Sequence, residues 1–317
     1  MRLLLVKTSS LGDVVHNLPV VSDIRARFPE AQIDWVAEEG FAAIPRLHPG
    51  VRRVIPVALR RWRRSLLCAP TWREMGAFRR ALQAEAYDAV IDTQGLVKSA
   101  LIARMARGKR CGYAAEAARE ALAARCYDAG FAIPRNLHAV ERNRWLAAAA
   151  LDYAPDLPLD YGIRAEPIGA QWLPATPFAV LLTATSRADK LWPEDAWLAL
   201  GAALAAKGMS CILPAGSEDE RERAARLARG IRNAVAAPPL AIPALAGLLA
   251  GATVVVGVDT GLTHLAVALR RPTVALFCAS DPGLTGVFGG PQTRNLGALG
   301  QPPRAEDVMD VLTGWGL

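Results

Sequence analysis

Short apolar runs alternate with stretches whose apolar residues recur every three or four positions. The runs at 3–6, 33–37, 54–57 and 89–91 are too short for helices and predict buried strands. Residues 13–28 predict a helix. Trp72, Met75, Phe78, Ala81 and Leu82 recur at helical spacing and predict a second, 96–105 a third, and 138–150 a fourth. The next stretch, 151–170, carries Pro155, Pro158 and Pro167 with little periodicity, and reads as a boundary. The alternation then restarts. Strands are predicted at 178–183, 211–213, 254–258 and 274–277. Helices are predicted from Pro193, from Ser217, at 241–250 and 262–268, and near Val308, with Pro193 at a first helical position and acids behind it. Repeated βα units in both halves imply an α/β protein with two doubly wound parallel sheets. The expected domains are 1–155 and 171–317 around a linker at 156–170, with the last helix free to return to the N-terminal domain. Ligands of such sheets bind beyond the C-terminal ends of strands, so the loops after strands should carry the chemistry.

Charge divides this picture. The net charge is +7, but residues 1–150 hold 24 basic and 14 acidic side chains, and 151–317 hold 13 and 16. An anionic partner for the N-terminal half follows: nucleic acid, an acidic membrane surface or a phosphorylated small molecule. The start, MRLLLVKTSSLGD, lacks the long apolar region of a signal peptide, and no stretch offers the ~18 apolar residues of a membrane span. Five cysteines with no CxxC pair fit a reduced, cytosolic compartment, and with four histidines remote from them a zinc site is not expected.

Four loops could carry chemistry. Lys7 to Asp13 follows the first strand and matches neither a Walker A loop nor GxGxxG. Its plain reading is a helix cap, Ser10-x-x-Asp13. Its sharper reading makes Asp13 a proton acceptor, kept ionised but weakened as a base by the helix N-terminus. Asp259-Thr260-Gly261 follows another strand and opens a helix. Gly261 allows close backbone approach and the first amides suit a diphosphate. Asp259 repels phosphate, so it is expected to hold the loop or meet a sugar hydroxyl. His264 could face the same site or simply pack. Thr185, Ser186 and Lys190 lie between a strand and a helix and suit an anion, with Lys190 as the point charge; Trp192 beside them reads as structural. Ser217-x-x-Glu220 reads first as a capping box and second as a ribose-binding carboxylate. In the basic half, Arg60, Arg61, Arg63 and Arg64 form the densest run, added to by Lys98, Arg119, His138 and Arg142. Arginine recognises carboxylate and phosphate bidentately, and the run beside Trp62, Leu66 and Leu67 could touch an anionic membrane. No DxD motif is present. An aspartic protease reading of Asp-Thr-Gly fails because a helix follows and no second such motif exists. A non-enzymatic nucleic-acid binder finds no zinc finger, RRM or basic-zipper pattern to support it.

In fixed order along nearly the whole chain, VKTSSLGDVVHNLP at 6–19, RVIPVALRRWR at 53–63, ALQAEAYDAVIDTQGLVKSA at 81–100, DKLWPEDAW at 189–197 and VDTGLTHLAVAL at 258–269 resemble the lipopolysaccharide heptosyltransferases of glycosyltransferase family 9. The resemblance implies a GT-B fold, two Rossmann-like domains facing a central cleft that closes about a hinge near 151–170. It implies inverting transfer of heptose with no metal and no cofactor. The match is strongest to members moving L-glycero-D-manno-heptose from ADP-heptose to the Kdo of Kdo-lipid A; the alternative is addition of the second heptose. It makes Asp13 the general base and Lys190, Thr185 and Ser186 phosphate contacts. Asp259, Thr260, Gly261 and His264 become the diphosphate loop and Glu220 the ribose ligand. Lys7, Ser10, Gly12, Arg60, Arg61, Arg63, Arg64, Lys98, Arg119, His138 and Arg142 fall on the acceptor side. Ser186 stands where some relatives carry Thr, and Ala215 where Trp can occur near the adenine. A cytoplasmic monomer, peripheral on the anionic inner-membrane face and bound to no nucleic acid, is expected.

Overall fold

The computed structural model describes residues 1–317, which form two compact units, Met1–Ile163 and Arg164–Leu317. The first holds a parallel sheet of β1 (Arg2–Val6), β2 (Gln32–Glu38), β3 (Val51–Val57), β4 (Ala86–Asp92), β5 (Arg107–Tyr113) and β6 (Ala129–Phe131). Its order is β3-β2-β1-β4-β5-β6. The second holds β7 (Phe178–Leu182), β8 (Ser210–Leu213), β9 (Ala234–Ala236), β10 (Val254–Val258), β11 (Thr273–Phe277) and β12 (Thr293–Gly297), ordered β12-β11-β10-β7-β8-β9. Read from its own first strand, the second sheet repeats the order of the first. In each, the direction of winding reverses between the first and fourth strands, and that switch point leaves a crevice at the strands' C-terminal ends.

Sequence and structure differ where polarity hides a strand. β5 begins Arg-Gly-Lys-Arg and is exposed over its first three residues, while β6 and β9 have three residues each. β12, TRNLG, carries charge and an amide. None is an apolar run, and none of the four was expected. The helix expected over 13–28 is two helices, Leu11–Val15 and Leu18–Arg27. Pro19 explains the break, since it lacks the N–H for a continuous ladder and its ring would press on the carbonyl four residues back. The helix Ala69–Gln83 buries Phe78 and Leu82 but leaves Trp72 59% exposed, although its spacing placed it with them.

The cores are built as buried parallel strands require. Leu3, Leu4, Leu5 and Val6 are fully buried, as are Val254, Val255, Val256 and Val258. Trp192 and Trp197 pack edge to face at 4.8 Å in the second core, and Trp192 Nε1 donates to the Pro303 carbonyl at 2.8 Å. The last helix, Ala305–Gly314, buries Val308 and Leu312 in that same core and belongs to the second unit. Asp152, Asp156 and Asp160 fall in the first unit. The units therefore carry 24 basic against 17 acidic side chains and 13 against 13, and the C-terminal half is neutral, not acidic. No helix is long and apolar enough to cross a membrane.

Candidate active site

The first unit's switch point is laced by side chains from loops after β1, β4 and β5. Gln94, two residues beyond β4, accepts through Oε1 from the Thr8 and Ser9 amides at 3.0 and 3.2 Å. Lys7 is buried and donates through Nζ to the Thr93 carbonyl at 2.8 Å and Asn143 Oδ1 at 3.2 Å. Burial lowers its pKa to about 8, against the opposing pull of Asp13. Asp13 fills the capping role read from sequence and is also paired with a cation. Its Oδ2 accepts from the Ser10 amide at 2.8 Å, capping its own helix, and its Oδ1 accepts from Arg119 Nη2 at 2.7 Å. Burial by itself would raise the Asp13 pKa; the charges of Lys7 and Arg119 and the hydrogen bonds from Arg119 and Ser10 outweigh it and hold the carboxyl below its usual value. It stays ionised in a cationic setting.

Lys7, Arg119 and Arg142 line one small recess with Thr93, Gln94, Tyr113 and Asn143. Arg142 lies 4.8 Å over the Tyr113 ring and donates to the Ala117 carbonyl, and its Nε is buried without a partner, as is Thr93 Oγ1. His138 caps the helix Ala139–Leu151 that carries Arg142, accepting from the Val140 amide at 3.2 Å. Lys98 donates to Ser9 Oγ at 3.2 Å. Gly12 lies inside the short helix with Asp13. Three cations and two unsatisfied donors with no acid lining the recess suit a carboxylate or phosphate.

The arginine run is held by other groups. Arg61 pairs bidentately with Glu39 at 3.0 Å and meets Glu74 at 2.8 Å. The Arg60 amide donates to Glu38, and its guanidinium sits 5.2 Å over Phe41. Arg63 and Arg64 are exposed. Trp62 points inward, 6% exposed, against Phe78. The indole expected on the surface beside the arginines is therefore core.

The second unit's switch point is laced in the same manner. Lys190, in the loop after β7, donates to Asp259 Oδ2 at 2.5 Å, and Ser280, in the loop after β11, donates to the same oxygen at 2.8 Å. Thr185 Oγ1 donates to the Asp259 carbonyl at 3.0 Å. His264 Nε2 lies 3.9 Å from Asp259 Oδ1. Burial would raise the Asp259 pKa, but His264, Lys190 and Ser280 together hold it far below the carboxylate range. Asp259 thus organises the loop, and Lys190 is clamped by it. Thr260 leads the helix Gly261–Ala268, whose first amides lack intrahelical acceptors. That helix starts hard against its strand because Gly257 has no Cβ; one would lie 2.3 Å from Thr263 Oγ1.

Beside this loop is a pocket of about 240 Å³ with two chemistries. Thr185, Ser186, Thr260 and Glu220 line one part, and Pro214, Ala215, Leu240, Leu245 and Leu262 the other. Glu220 caps its own helix, its Oε2 accepting from the Gly216 and Ser217 amides at 2.8 and 3.1 Å, and also lines this pocket. Hydroxyls, a lysine and a helix N-terminus beside an apolar slot can hold a diphosphate attached to a flat ring. No three His, Cys, Asp or Glu side chains gather in a way that could hold a metal ion. Sequence reasoning missed Gln94, Asn143, Tyr113 and Ser280. Gln94 and Ser280 sit just beyond β4 and β11, where the loop-after-strand rule would have found them.

The comparisons with known proteins decide the family. The model of glycosyltransferase family 9 (heptosyltransferase) matches residues 75–309. The chain belongs to this family. It is 48% identical over 291 residues to lipopolysaccharide heptosyltransferase 1 of Escherichia coli (strain K12), covering 91% of each. The solved E. coli heptosyltransferase WaaC with ADP superposes with a TM-score of 0.92 at 44% identity over 99% of both chains. The same enzyme with ADP-2-deoxy-2-fluoro heptose superposes at 0.87, again over 99% of both. This chain is accordingly a glycosyltransferase of the GT-B fold.

Proposed function

We propose that this enzyme moves L-glycero-D-manno-heptose from ADP-heptose to the Kdo of Kdo-lipid A, with inversion and without a metal ion, at the cytoplasmic face of the inner membrane. The observation that carries the reading is Asp13, a carboxylate kept ionised among Lys7, Arg119 and Ser10 beside a recess built for anions. An acceptor bearing carboxylate and phosphate suits those cations. The ADP moiety suits the second unit, its adenine against Leu240, Leu245 and Leu262 and its diphosphate against Thr185, Ser186, Lys190 and the Gly261 amides. A solved relative that holds ADP supports this assignment.

The reaction is one displacement. The acceptor oxygen bonds to the anomeric carbon, the bond from that carbon to the diphosphate oxygen breaks, and the acceptor's hydroxyl proton passes to Asp13. Its low pKa keeps Asp13 ready at neutral pH but makes it a weak base, so proton transfer belongs late, when the hydroxyl has acidified. The sugar passes through an oxocarbenium-like state. Charge appears on the leaving diphosphate, where Lys190 and helix amides are already in place. The test is transfer from ADP-heptose to Kdo-lipid A with a chelator present, with the product detected by mass and a parallel arm using acceptor that already carries one heptose. Product from the first acceptor alone is expected. Product from the second alone assigns the second-heptose activity instead, and a chelator-sensitive reaction overturns metal independence.

A further inference from the structure

Three of the chain's ten exposed large hydrophobic side chains fall between residues 66 and 72: Leu66 at 49%, Leu67 at 102% and Trp72 at 59% exposure. They form one patch, because Trp72 Nε1 donates to the Leu66 carbonyl at 2.8 Å and ties the turn to the start of the helix Ala69–Gln83. A leucine wholly in water and an indole turned out of a helix whose Phe78 and Leu82 are buried contribute nothing to the core. The ground beneath them is firm. Trp62 donates to Glu74 at 2.8 Å and packs on Phe78, and Ser65 and Thr71 hydroxyls meet at 2.9 Å.

The unpaired charge flanking the patch is positive, because the nearby Glu39 and Glu74 are both taken up by Arg61. Between Glu39 and Glu74 there is no acid and there are eight arginines. Arg52, Arg53 and Arg61 are committed to Asp34, Glu85, Glu39 and Glu74. Arg63, Arg64 and Arg73 flank the apolar turn and are exposed. Apolar side chains at a tip, ringed by arginine, complement a surface with an anionic face over an apolar interior. A water-soluble polyanion would match the arginines and leave Leu67 unused.

We infer that the Arg63–Arg73 turn is a membrane-docking tip, in which Leu66, Leu67 and Trp72 enter the headgroup layer of an anionic bilayer and the arginines meet its phosphates. The inference rests on the proposed function only for the source of that surface, the membrane that holds the acceptor.

The test uses the full chain and vesicles of phosphatidylethanolamine with phosphatidylglycerol, against vesicles of phosphatidylcholine alone. Sedimentation with the anionic vesicles is expected. Leu66→Ser/Leu67→Ser should weaken partitioning about tenfold or more, from the apolar burial lost. Arg73→Gln should weaken it roughly fivefold and reduce its salt sensitivity. Acyl-chain bromine should quench tryptophan fluorescence in the native chain and not in Trp72→Phe. Melting temperature and transfer to a short-chain soluble acceptor should not change in the leucine variant. Equal partitioning of the native and leucine variants, equal binding to neutral vesicles, or a concentration-dependent dimer abolished by the leucine changes would overturn the inference, the last by assigning the tip to a second copy. Vesicle binding without transfer would sink the proposed function and leave the tip standing; transfer without vesicle binding would do the reverse.

Discussion

Each unit pairs one aspartate with a cation at its switch point, and the proposed function gives the two pairs opposite work. In the first, Arg119 reaches Asp13 from a different loop, is 41% exposed, and leaves the carboxylate beside a recess of further cations. In the second, Asp259 takes Lys190 and Ser280 on one oxygen and faces His264 with the other. The first is a carboxylate that a cation steadies; the second is a cation that a carboxylate steadies. Under the proposed function, an aspartate–cation pair at the same point of one topology serves a base in one unit and an anion clamp in the other. What separates them is the surroundings: Lys7 and Arg142 near Asp13, hydroxyls and helix amides near Lys190.

Exchanging the carboxylates for amides should break the symmetry most sharply. Asp13→Asn removes the proton acceptor with little change in shape, and kcat should fall ~10²–10⁴-fold while ADP-heptose binding, measured by calorimetry, is retained. Turnover within a few-fold of native would remove Asp13 from the role. Lys190→Met comes next. Loss of one preorganised contact to developing charge should cost ~10²–10³ in kcat, and Asp259, left half-buried without its lysine, should destabilise the fold as well. Lys190→Met/Asp259→Asn should then recover stability without recovering rate. Recovery of both would mean that Lys190 serves only Asp259.

Most of the fold was legible because buried parallel strands must be apolar on both faces, as β7, β10, residues 3–6 of β1 and residues 89–91 of β4 are. Where a strand runs polar or is only three residues long, as in β5, β6, β9 and β12, its identity comes from the neighbour it pairs with, and local pattern carries little of it. The candidate site was legible at the level of loops, since a strand followed by Lys-Thr-Ser-Ser or Asp-Thr-Gly can be read one residue at a time. Its pairings were not. Lys190 and Asp259 stand 69 residues apart, Arg119 and Asp13 106. Nothing local distinguishes a lysine aimed at phosphate from one clamped by an aspartate. Charge counting also misled in part. It assigned three aspartates to the wrong unit, and it treated Arg61 as available when two glutamates hold it.

The smallest effect separates the two switch points by pH. Lys7 is fully buried with its pKa lowered to about 8, whereas an unfolded lysine titrates near ~10.4. Between those values the unfolded chain holds the extra proton, so native stability should rise with pH across that window and show no Lys7 slope below it. Asp259 acts with the same sign in a different window, at the acid end. Its folded pKa is depressed, so its contribution is complete above the unfolded carboxylate value near ~4 and fades as pH falls below that. Urea unfolding of native chain, Lys7→Met and Asp259→Asn from about pH 2 to 10 reads both. The gap between native and Lys7→Met should change by on the order of 1–3 kcal/mol between pH 8 and 10, in the direction of a relatively more stable native chain. The gap between native and Asp259→Asn should be constant there and narrow only at the acid end. A Lys7 gap that stays flat would mean the ammonium keeps its charge in the folded chain throughout, steadied by Asp13 more than burial disfavours it. The two switch points would then handle buried charge alike, and the distinction between a base site and a clamp site would rest on turnover alone.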